Sequence, residues 1–157
     1  MPPRPIVAGA DHPILRARAQ SIAAFGKDLQ RLVRDLLDTV DAAKGAGLAA
    51  PQIGEPHAVC VARVAGAFIT LVNPKILWCS ETTLLGEEGC LSLPDIWLMV
   101  PRASEIVVRY LDERGRGTEL HLRDFDARVV QHEVDHLLGK LIVDYRAEVA
   151  MPSGEAL

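Results

Sequence analysis

The 157-residue sequence has no apolar run approaching the roughly 20 residues that a membrane-spanning helix needs. Its first residues, MPPRPIVAGADHP, lack the apolar core of a secretory signal, so we expect no such signal. The formal net charge is −4, which argues against a DNA-binding protein with a basic face. Only three cysteines are present, too few for a disulfide framework. We therefore expect a cytoplasmic protein with no DNA or membrane partner.

The composition is that of an ordinary globular protein, with 49% apolar and 24% charged residues. We see no internal repeat, low-complexity tract or linker, and the length suits one compact domain. The expectation is a single domain over residues 1–157. The first twenty residues are rich in proline and arginine and are interpreted as an extended arm.

Two segments show the three- and four-residue spacing of apolar positions that is typical of an amphipathic helix. The first extends from Lys27 to Ala43, and Gly45 and Gly47 lie just past its end, where a helix stop is expected. The second extends from Asp124 to Leu138.

Between these helices the pattern changes to that of strands. Residues 57–64 and 67–74 predict two short strands, the second ending at Asn73-Pro74. Residues 104–123 predict a hairpin with its turn at 113–117. One helix, several strands and a final helix predict an α+β fold in which the last helix packs on an antiparallel sheet.

The final helix contains VVQHEVDHLL, which places two histidines four residues apart. His132 and His136 therefore lie on one face, one turn apart, and can bind one metal ion. Glu133 lies about 100° around the helix from His132, so it can reach a water at that ion without ligating it. An ordinary buried helix is the alternative, but burying two histidines, a glutamate and an aspartate is costly unless they have partners.

A catalytic ion needs a third protein ligand. The other histidines, at positions 12, 57 and 121, lack any motif context. Cys60 alternates with valines and is typical of a core strand, and nothing distinguishes Cys79. Cys90 follows Gly89 in GEEGCLSLPD, and a glycine there allows close backbone approach. Cys90 is thus the best of three candidates on these grounds.

Three stretches occur together in the order GAGLAAPQ (45–52), EGCLS (88–92) and HEVDH (132–136). In this order and spacing they resemble the three signature motifs of the peptide deformylases. Weaker similarity extends the resemblance from about Ile14 to Asp144. Each motif alone is weak to moderate, but the ordered set is highly specific.

The resemblance implies a small α+β domain of antiparallel sheets packed around a C-terminal metal-binding helix. It also implies a metal-dependent enzyme that removes the formyl group from the N-terminal formyl-methionine of new proteins, using one divalent ion. That ion would be Fe²⁺ in the cell, with Zn²⁺ or Ni²⁺ as ions that the isolated protein can carry. The implied metal ligands are Cys90, His132 and His136. Glu133 would be the general base, and the Gln52 amide and the Leu91 N–H would donate to the oxyanion. Gly45, Gly47 and Gly89 would bind the substrate main chain.

Four positions depart from the family pattern. Asp124 stands where the family usually has glycine, and we interpret Asp124 as the N-cap of the last helix. Gly86 replaces a position that is often larger and apolar, so a wider pocket is expected. Trp97 stands where a polar residue can occur beside the substrate. After His136 the chain lacks the C-terminal helix extension of many bacterial members, since Pro152 and Gly154 oppose it. We therefore expect weak or absent ribosome contact.

Other interpretations remain open. The chain could be a deformylase-like paralogue with a shifted formyl-peptide substrate, a metallopeptidase, or a non-catalytic module with a structural metal. A structural site would need a fourth ligand such as a second cysteine. Glu88 or Asp135 could orient a metal-bound histidine, or could pair with Arg102.

Overall fold

The computed structural model describes residues 2–146. Its helices are α1 (Pro13–Arg16), α2 (Lys27–Ala42) and α3 (Asp124–Leu137), and short 3₁₀ helices span Ala50–Ile53 and Ile142–Tyr145. Its strands are β1 (Gly47–Ala49), β2 (Val59–Val64), β3 (Ala67–Cys79), β4 (Thr83–Cys90), β5 (Leu93–Ala103), β6 (Glu105–Leu111) and β7 (Gly117–Arg123). No described helix is both long and apolar enough to cross a bilayer.

The strands form two antiparallel sheets. Five strands pair in the order β1-β2-β3-β6-β7, and β4 and β5 form a separate two-stranded ribbon. Helix α3 packs against β1 and β2 on one face of the larger sheet, while α2 packs against the same two strands. The α+β prediction, with antiparallel sheets around the last helix, is confirmed.

Strand β2 shows how the sequence separates two cores. Cys60 and Ala62 pack with the apolar side of α3, whereas Val59 and Val61 pack with α2. Side chains alternate across a strand, so a run of apolar residues is buried on both faces only when each face is covered. The continuous sequence VCVA is therefore the signature of a strand between two helices.

The end of α2 differs from the expectation of a glycine stop. The helix ends one residue earlier than predicted, and Lys44 adopts the left-handed conformation, with φ 55°. Gly45 and Gly47 are needed for close contacts instead. A Cβ atom at Gly45 would lie 3.0 Å from the Leu91 side chain, and one at Gly47 would lie 2.5 Å from a Glu133 carboxylate oxygen.

The predicted end of the second strand at Asn73-Pro74 is wrong. Strand β3 continues to Cys79, and its pairing with β6 shifts register between Val72 and Lys75. A bulge accommodates a proline because the ladder then needs no N–H at that position. Asn73 has φ 50° and its side chain exchanges two hydrogen bonds with the backbone of Ile22, at 2.8 and 2.9 Å.

The N-terminal segment is more than the extended arm that was predicted. It contains α1, whose Leu15 is fully buried with the β4–β5 ribbon. The Val7 N–H donates to the Gln52 carbonyl at 2.7 Å, and the Gly9 N–H donates to the Ser92 carbonyl at 2.9 Å. These bonds attach the segment to two motifs of the candidate site.

The predicted hairpin and final helix are present, and α3 ends one residue earlier than expected. The N-cap interpretation of Asp124 is wrong, because Arg123 is the N-cap. Asp124 instead has φ 52°, in the left-handed region that favours glycine, and its N–H donates to the Ser104 carbonyl at 2.8 Å. The chain turns sharply there from β7 into the helix.

Candidate metal centre

Cys90, His132 and His136 come together although 42 residues separate the first two in sequence (132 − 90). Strand β4 ends at Cys90, and α3 presents both histidines on one face. The ligand atoms of the three residues all lie within 4.8 Å of one another, and the Cys90 Sγ and His136 Nε2 atoms are 3.4 Å apart. Ligands of a tetrahedral ion at usual bond lengths stand about 3.3–3.6 Å apart, a range that includes the Cys90–His136 distance. One thiol and two imidazoles within 4.8 Å of one another therefore suit a divalent metal ion.

Glu88 orients the first histidine. Its Oε1 atom lies 2.8 Å from His132 Nδ1, which leaves Nε2 to face the site. Metal-binding histidines usually have such a carboxylate partner on the other ring nitrogen. Of the two acidic candidates, Glu88 therefore has this position, whereas Asp135 pairs with Arg102 at 2.5 Å.

Glu88 is itself held by cations. Arg102 binds both of its oxygens, at 2.8 and 2.9 Å, and Arg128 binds Oε2 at 2.6 Å. Burial tends to raise the pKa of this carboxyl, but the hydrogen bonds from Arg102 and His132 lower the pKa well below its usual value. The carboxylate under His132 is thus a fixed negative charge.

The two histidines differ in their proton affinity. Burial tends to lower the pKa of His132, but hydrogen bonds to Cys90 and Glu88 raise it to about 10. Burial, together with the charge of His132, lowers the pKa of His136. A metal ion binds the neutral ring, so it would displace the proton from His132.

Glu133 is buried beside the ligands, with 4% of its surface exposed. Burial raises the pKa of its carboxyl to about 7. Its Oε1 atom has no hydrogen-bond partner among the described residues. A buried polar atom without a partner is rare and is expected where a ligand or a water completes the site.

Gln52 lies in the 3₁₀ helix after β1, and hydrogen bonds to Ala49 and Ser92 orient its side chain. Its Oε1 accepts the Ala49 N–H at 2.9 Å, so its NH₂ group faces the site. That group donates to Ser92 Oγ at 3.1 Å and lies 3.8 Å from Cys90 Sγ. The side chain is 2% exposed, so its position is set by packing as well as by these bonds.

A cavity of about 490 Å³ opens onto these groups. It is lined by eight of the nine residues that the sequence suggested for the site: Gly45, Gly47, Gln52, Gly89, Cys90, Leu91, His132 and Glu133. The ninth, His136, is almost fully buried beneath them. The structure therefore brings the whole predicted set together.

The expectation of a wider pocket at Gly86 is wrong. A Cβ atom there would lie 2.7 Å from the guanidinium carbon of Arg128, which fills the space above the glycine. Arg128 also donates to the Val100 carbonyl at 2.9 Å and to the Leu84 carbonyl at 2.7 Å, so it links α3 to both strands of the ribbon.

Sequence reasoning missed two polar residues of the site, Arg128 and Ser92. Arg128 lies four residues before His132 and so shares its helix face, a spacing that could have indicated it. Ser92 is the last residue of EGCLS and is fully buried against the Gln52 amide.

The sequence model of the polypeptide deformylase family matches residues 3–151 of the chain. The chain belongs to this family. It is 43% identical to the peptide deformylase of Nitrosococcus oceani over 136 residues. The aligned segment covers 85% of this chain and 81% of the relative. It is 38% identical over 154 residues to the peptide deformylase of Bartonella henselae, covering 95% of this chain and 87% of the relative.

Solved deformylase structures have the same fold. The crystal structure of the Thermotoga maritima peptide deformylase superposes with a TM-score of 0.88 at 38% identity, over 92% of this chain and 97% of that one. An actinonin-bound class I type b peptide deformylase from Acinetobacter baumannii gives 0.86 at 36% identity, over 92% and 98%. As a deformylase-family member the chain is an enzyme, and the family is a family of metal-dependent hydrolases.

Proposed function

We propose that Cys90, His132 and His136 hold a catalytic divalent ion with which this chain removes the formyl group from N-terminal formyl-methionine. The substrates are nascent or released peptides. The observation that carries the proposal is the convergence of the three ligand atoms beside the buried carboxylate of Glu133. Three protein ligands are the usual set of a catalytic metal site, whereas structural sites usually have four.

A divalent ion held by Cys90, His132 and His136 would lower the pKa of a bound water and would polarise the formyl oxygen. We infer that Fe²⁺ is the ion in the cell and that Zn²⁺ or Ni²⁺ replaces it on isolation. The family resemblance supports iron, and the affinity order of nitrogen and sulfur donors supports the replacement. An anaerobic iron-loaded preparation should then be more active than the zinc form.

Glu133 is the general base in this proposal. It takes a proton from the attacking water and delivers it to the amine that leaves when the formyl C–N bond breaks. Its support is its position next to His132, its burial and its unpartnered Oε1 atom.

Gln52 and Leu91 stabilise the oxyanion that develops on the formyl oxygen. The Gln52 NH₂ group already faces Cys90, and Leu91 follows Cys90 directly and lines the same cavity. Removing one such donor costs about 2.7–4 kcal/mol in comparable sites. Because Gln52 is locked by Ala49, no rotation is needed to present its donor.

The glycines bind the peptide main chain. Strand β4 pairs only with β5 among the described residues, so its other edge can accept a peptide as an added strand. Gly89 lies on that strand, and Gly45 and Gly47 line the cavity near it. In this proposal their backbone groups hydrogen-bond to the substrate main chain, the role that the family resemblance implies.

A shifted formyl-peptide substrate is the second candidate. Two residues of the cavity favour it, the guanidinium of Arg128 and the exposed ring of Trp97. Internal peptide cleavage is less favoured, because ligand sets of that kind use histidine or a carboxylate in place of a thiolate. A structural site is less favoured too, since Cys60 and Cys79 do not join the cluster among residues 2–146.

We also propose that residues 1–157 form one catalytic domain in the cytoplasm. The family match over residues 3–151 supports a single unit, and a reducing compartment would keep Cys90 a thiol. The tail on which the ribosome prediction depends, residues 147–157, lies outside the described residues. Weak or absent ribosome contact therefore stays a prediction.

Formate release from formyl-Met-Ala-Ser tests the proposal. The metal-loaded wild type should release formate, and Glu133→Gln should bind the same amount of metal but keep less than about a tenth of the rate. Glu119→Gln, an exposed glutamate on β7, is the matched control and should keep full activity. Most of the wild-type rate in the Glu133→Gln protein would show that another base acts. Absence of formate with the metal-loaded wild type would contradict the function.

A further inference from the structure

Trp97 has an unusual place in the cavity. It stands on β5 directly opposite Gly89 of β4, which precedes the metal ligand Cys90. A Cβ atom at Gly89 would lie 2.6–2.9 Å from three ring atoms of Trp97, so the ring covers the glycine closely. The same ring lines the cavity that contains Cys90 and Glu133.

The ring is nevertheless largely exposed. Its exposure is 60%, and Met99 and Leu85 on the same face of the ribbon are 37% and 59% exposed. The pairing of Gly89 with Trp97, Glu87 with Met99 and Leu85 with Pro101 places these side chains in one row, because alternate residues share a face. Trp97, Met99 and Leu85 thus form a row of exposed apolar side chains along the ribbon, which also includes the exposed Glu87.

We propose that Trp97 is a specificity-determining platform for an apolar or aromatic side chain at one of the two positions that follow the formyl-methionine. The inference rests on the proposed function. We infer a peptide side chain as the ligand of Trp97 because Trp97 lies next to the proposed active site. When the formyl group lies beside Cys90, the following residues of the peptide lie beside Gly89. A peptide added to the free edge of β4 directs alternate side chains to the face that carries Trp97.

The size of the effect follows from buried apolar area. A tryptophan ring offers a large rigid surface with little loss of side-chain entropy. Covering roughly 40 Å² of apolar surface corresponds to about a fivefold preference. We therefore expect kcat/KM for formyl-Met-Phe-Ser or formyl-Met-Ala-Phe to exceed that for formyl-Met-Ala-Ser by about fivefold.

The chain offers a matched control because it has two tryptophans, both exposed. Trp78 lies at the end of β3 and packs edge-on against His121, away from the cavity-lining residues. Trp97→Ala should reduce the aromatic preference to near parity, Trp97→Phe should keep most of it, and Trp78→Ala should leave it unchanged. An equal preference in wild type and Trp97→Ala, or an equal loss in Trp78→Ala, would overturn the inference.

Fluorescence gives a readout that does not depend on turnover. In the Trp78→Phe protein, Trp97 is the sole tryptophan, so its emission reports on the platform. The deformylated product Met-Ala-Phe or Met-Phe-Ser should shift that emission towards the blue at lower concentration than Met-Ala-Ser. If no peptide releases formate, the proposed function fails. If formate is released but Trp97→Ala keeps the aromatic preference, and the aromatic products shift the Trp97 emission at no lower concentration than Met-Ala-Ser, only the platform fails.

Discussion

At the scale of single residues, the ligand set depends on one thiol among three. Cys60 is fully buried between α3 and the sheet, and Cys79 is exposed at the end of β3, whereas Cys90 lies 3.4 Å from His136 Nε2. Position relative to the histidines, and not the presence of a thiol, decides which cysteine can bind the ion.

Cys90→Ser is therefore expected to weaken metal binding by more than about tenfold, the loss that even a change beside a ligand can cause. Cys79→Ser and Cys60→Ser should bind metal like the wild type, and Cys90→Asp should restore part of the zinc affinity because a carboxylate is an accepted ligand. Metal content after equilibrium dialysis against Zn²⁺ measures this. Equal metal content in all the serine variants would show that Cys90 is not a metal ligand.

Arg128 and Gly86 form a pair whose members depend on each other. The guanidinium occupies the space where a Cβ at Gly86 would stand, and three hydrogen-bond acceptors hold it there: Glu88, Val100 and Leu84. A larger residue at position 86 cannot push the arginine away without breaking these bonds.

Gly86→Val should lower the free energy of unfolding by about 1–3 kcal/mol, the usual cost of overpacking. Arg128→Leu should also destabilise, because it removes charge-assisted bonds to the ribbon. The double variant should lose less than the sum, with a coupling of about 1 kcal/mol, since an apolar side chain then fills the vacated space. Urea unfolding of the four proteins measures the coupling, and simple additivity would contradict it.

At the scale of elements, the boundaries of α2 and α3 were predictable to within one residue because apolar spacing directly reports a buried helix face. The continuation of β3 past Asn73-Pro74 was not, because proline is a local stop signal and only pairing with β6 across the bulge reveals the longer strand. The β4–β5 ribbon was not predicted either. Its sequence carries glycine and glutamate where the packing against α3 needs them, so no alternation of apolar residues marks it.

The first residue of α3, Asp124, has a backbone conformation that favours glycine. Asp124 has φ 52°, which costs an L-residue roughly 1–2 kcal/mol, although aspartate tolerates this region better than most. The side chain is exposed, so little packing compensates.

Asp124→Gly should therefore be neutral or raise the free energy of unfolding by up to about 1 kcal/mol, because relief of strain exceeds the entropy cost of glycine. Asp126→Gly, two residues into the same helix, is the control and should destabilise by about 1 kcal/mol, because it loses helix propensity and the bond that its carboxylate accepts from the Ala65 N–H at 3.3 Å. Urea denaturation measures the free energy of unfolding of both variants, and an unchanged m-value makes these free energies comparable. Equal destabilisation by both changes would show that position 124 carries no strain.

At the scale of the whole molecule, the site is assembled from parts distant in sequence. Cys90 comes from the ribbon, the histidines and Glu133 come from α3, and Gln52 comes from the 3₁₀ helix after β1. Each of these residues belongs to one of the three sequence motifs, so all of them could be predicted from the sequence. What no motif indicated is the N-terminal segment, which holds the backbone of two site loops through its own N–H groups.

Val7 gives the clearest test of that dependence. Its N–H donates to the carbonyl of Gln52 at 2.7 Å, so the segment fixes the short helix that aims the proposed oxyanion donor. Val7→Pro removes this donor and leaves the carbonyl without its partner, which should cost about 1–3 kcal/mol.

For a chain of this size each kcal/mol lowers Tm by about 2–4 °C. Because Gln52 is then less well positioned, kcat for formate release should also fall, while the metal content stays near that of the wild type. Ala8→Pro is the control, since Ala8 is exposed and its N–H donates no hydrogen bond among residues 2–146. If Val7→Pro and Ala8→Pro reduce Tm and kcat equally, rigidity of the segment matters and the bond to Gln52 does not. If only Val7→Pro lowers kcat, the N-terminal segment is a supporting part of the active site.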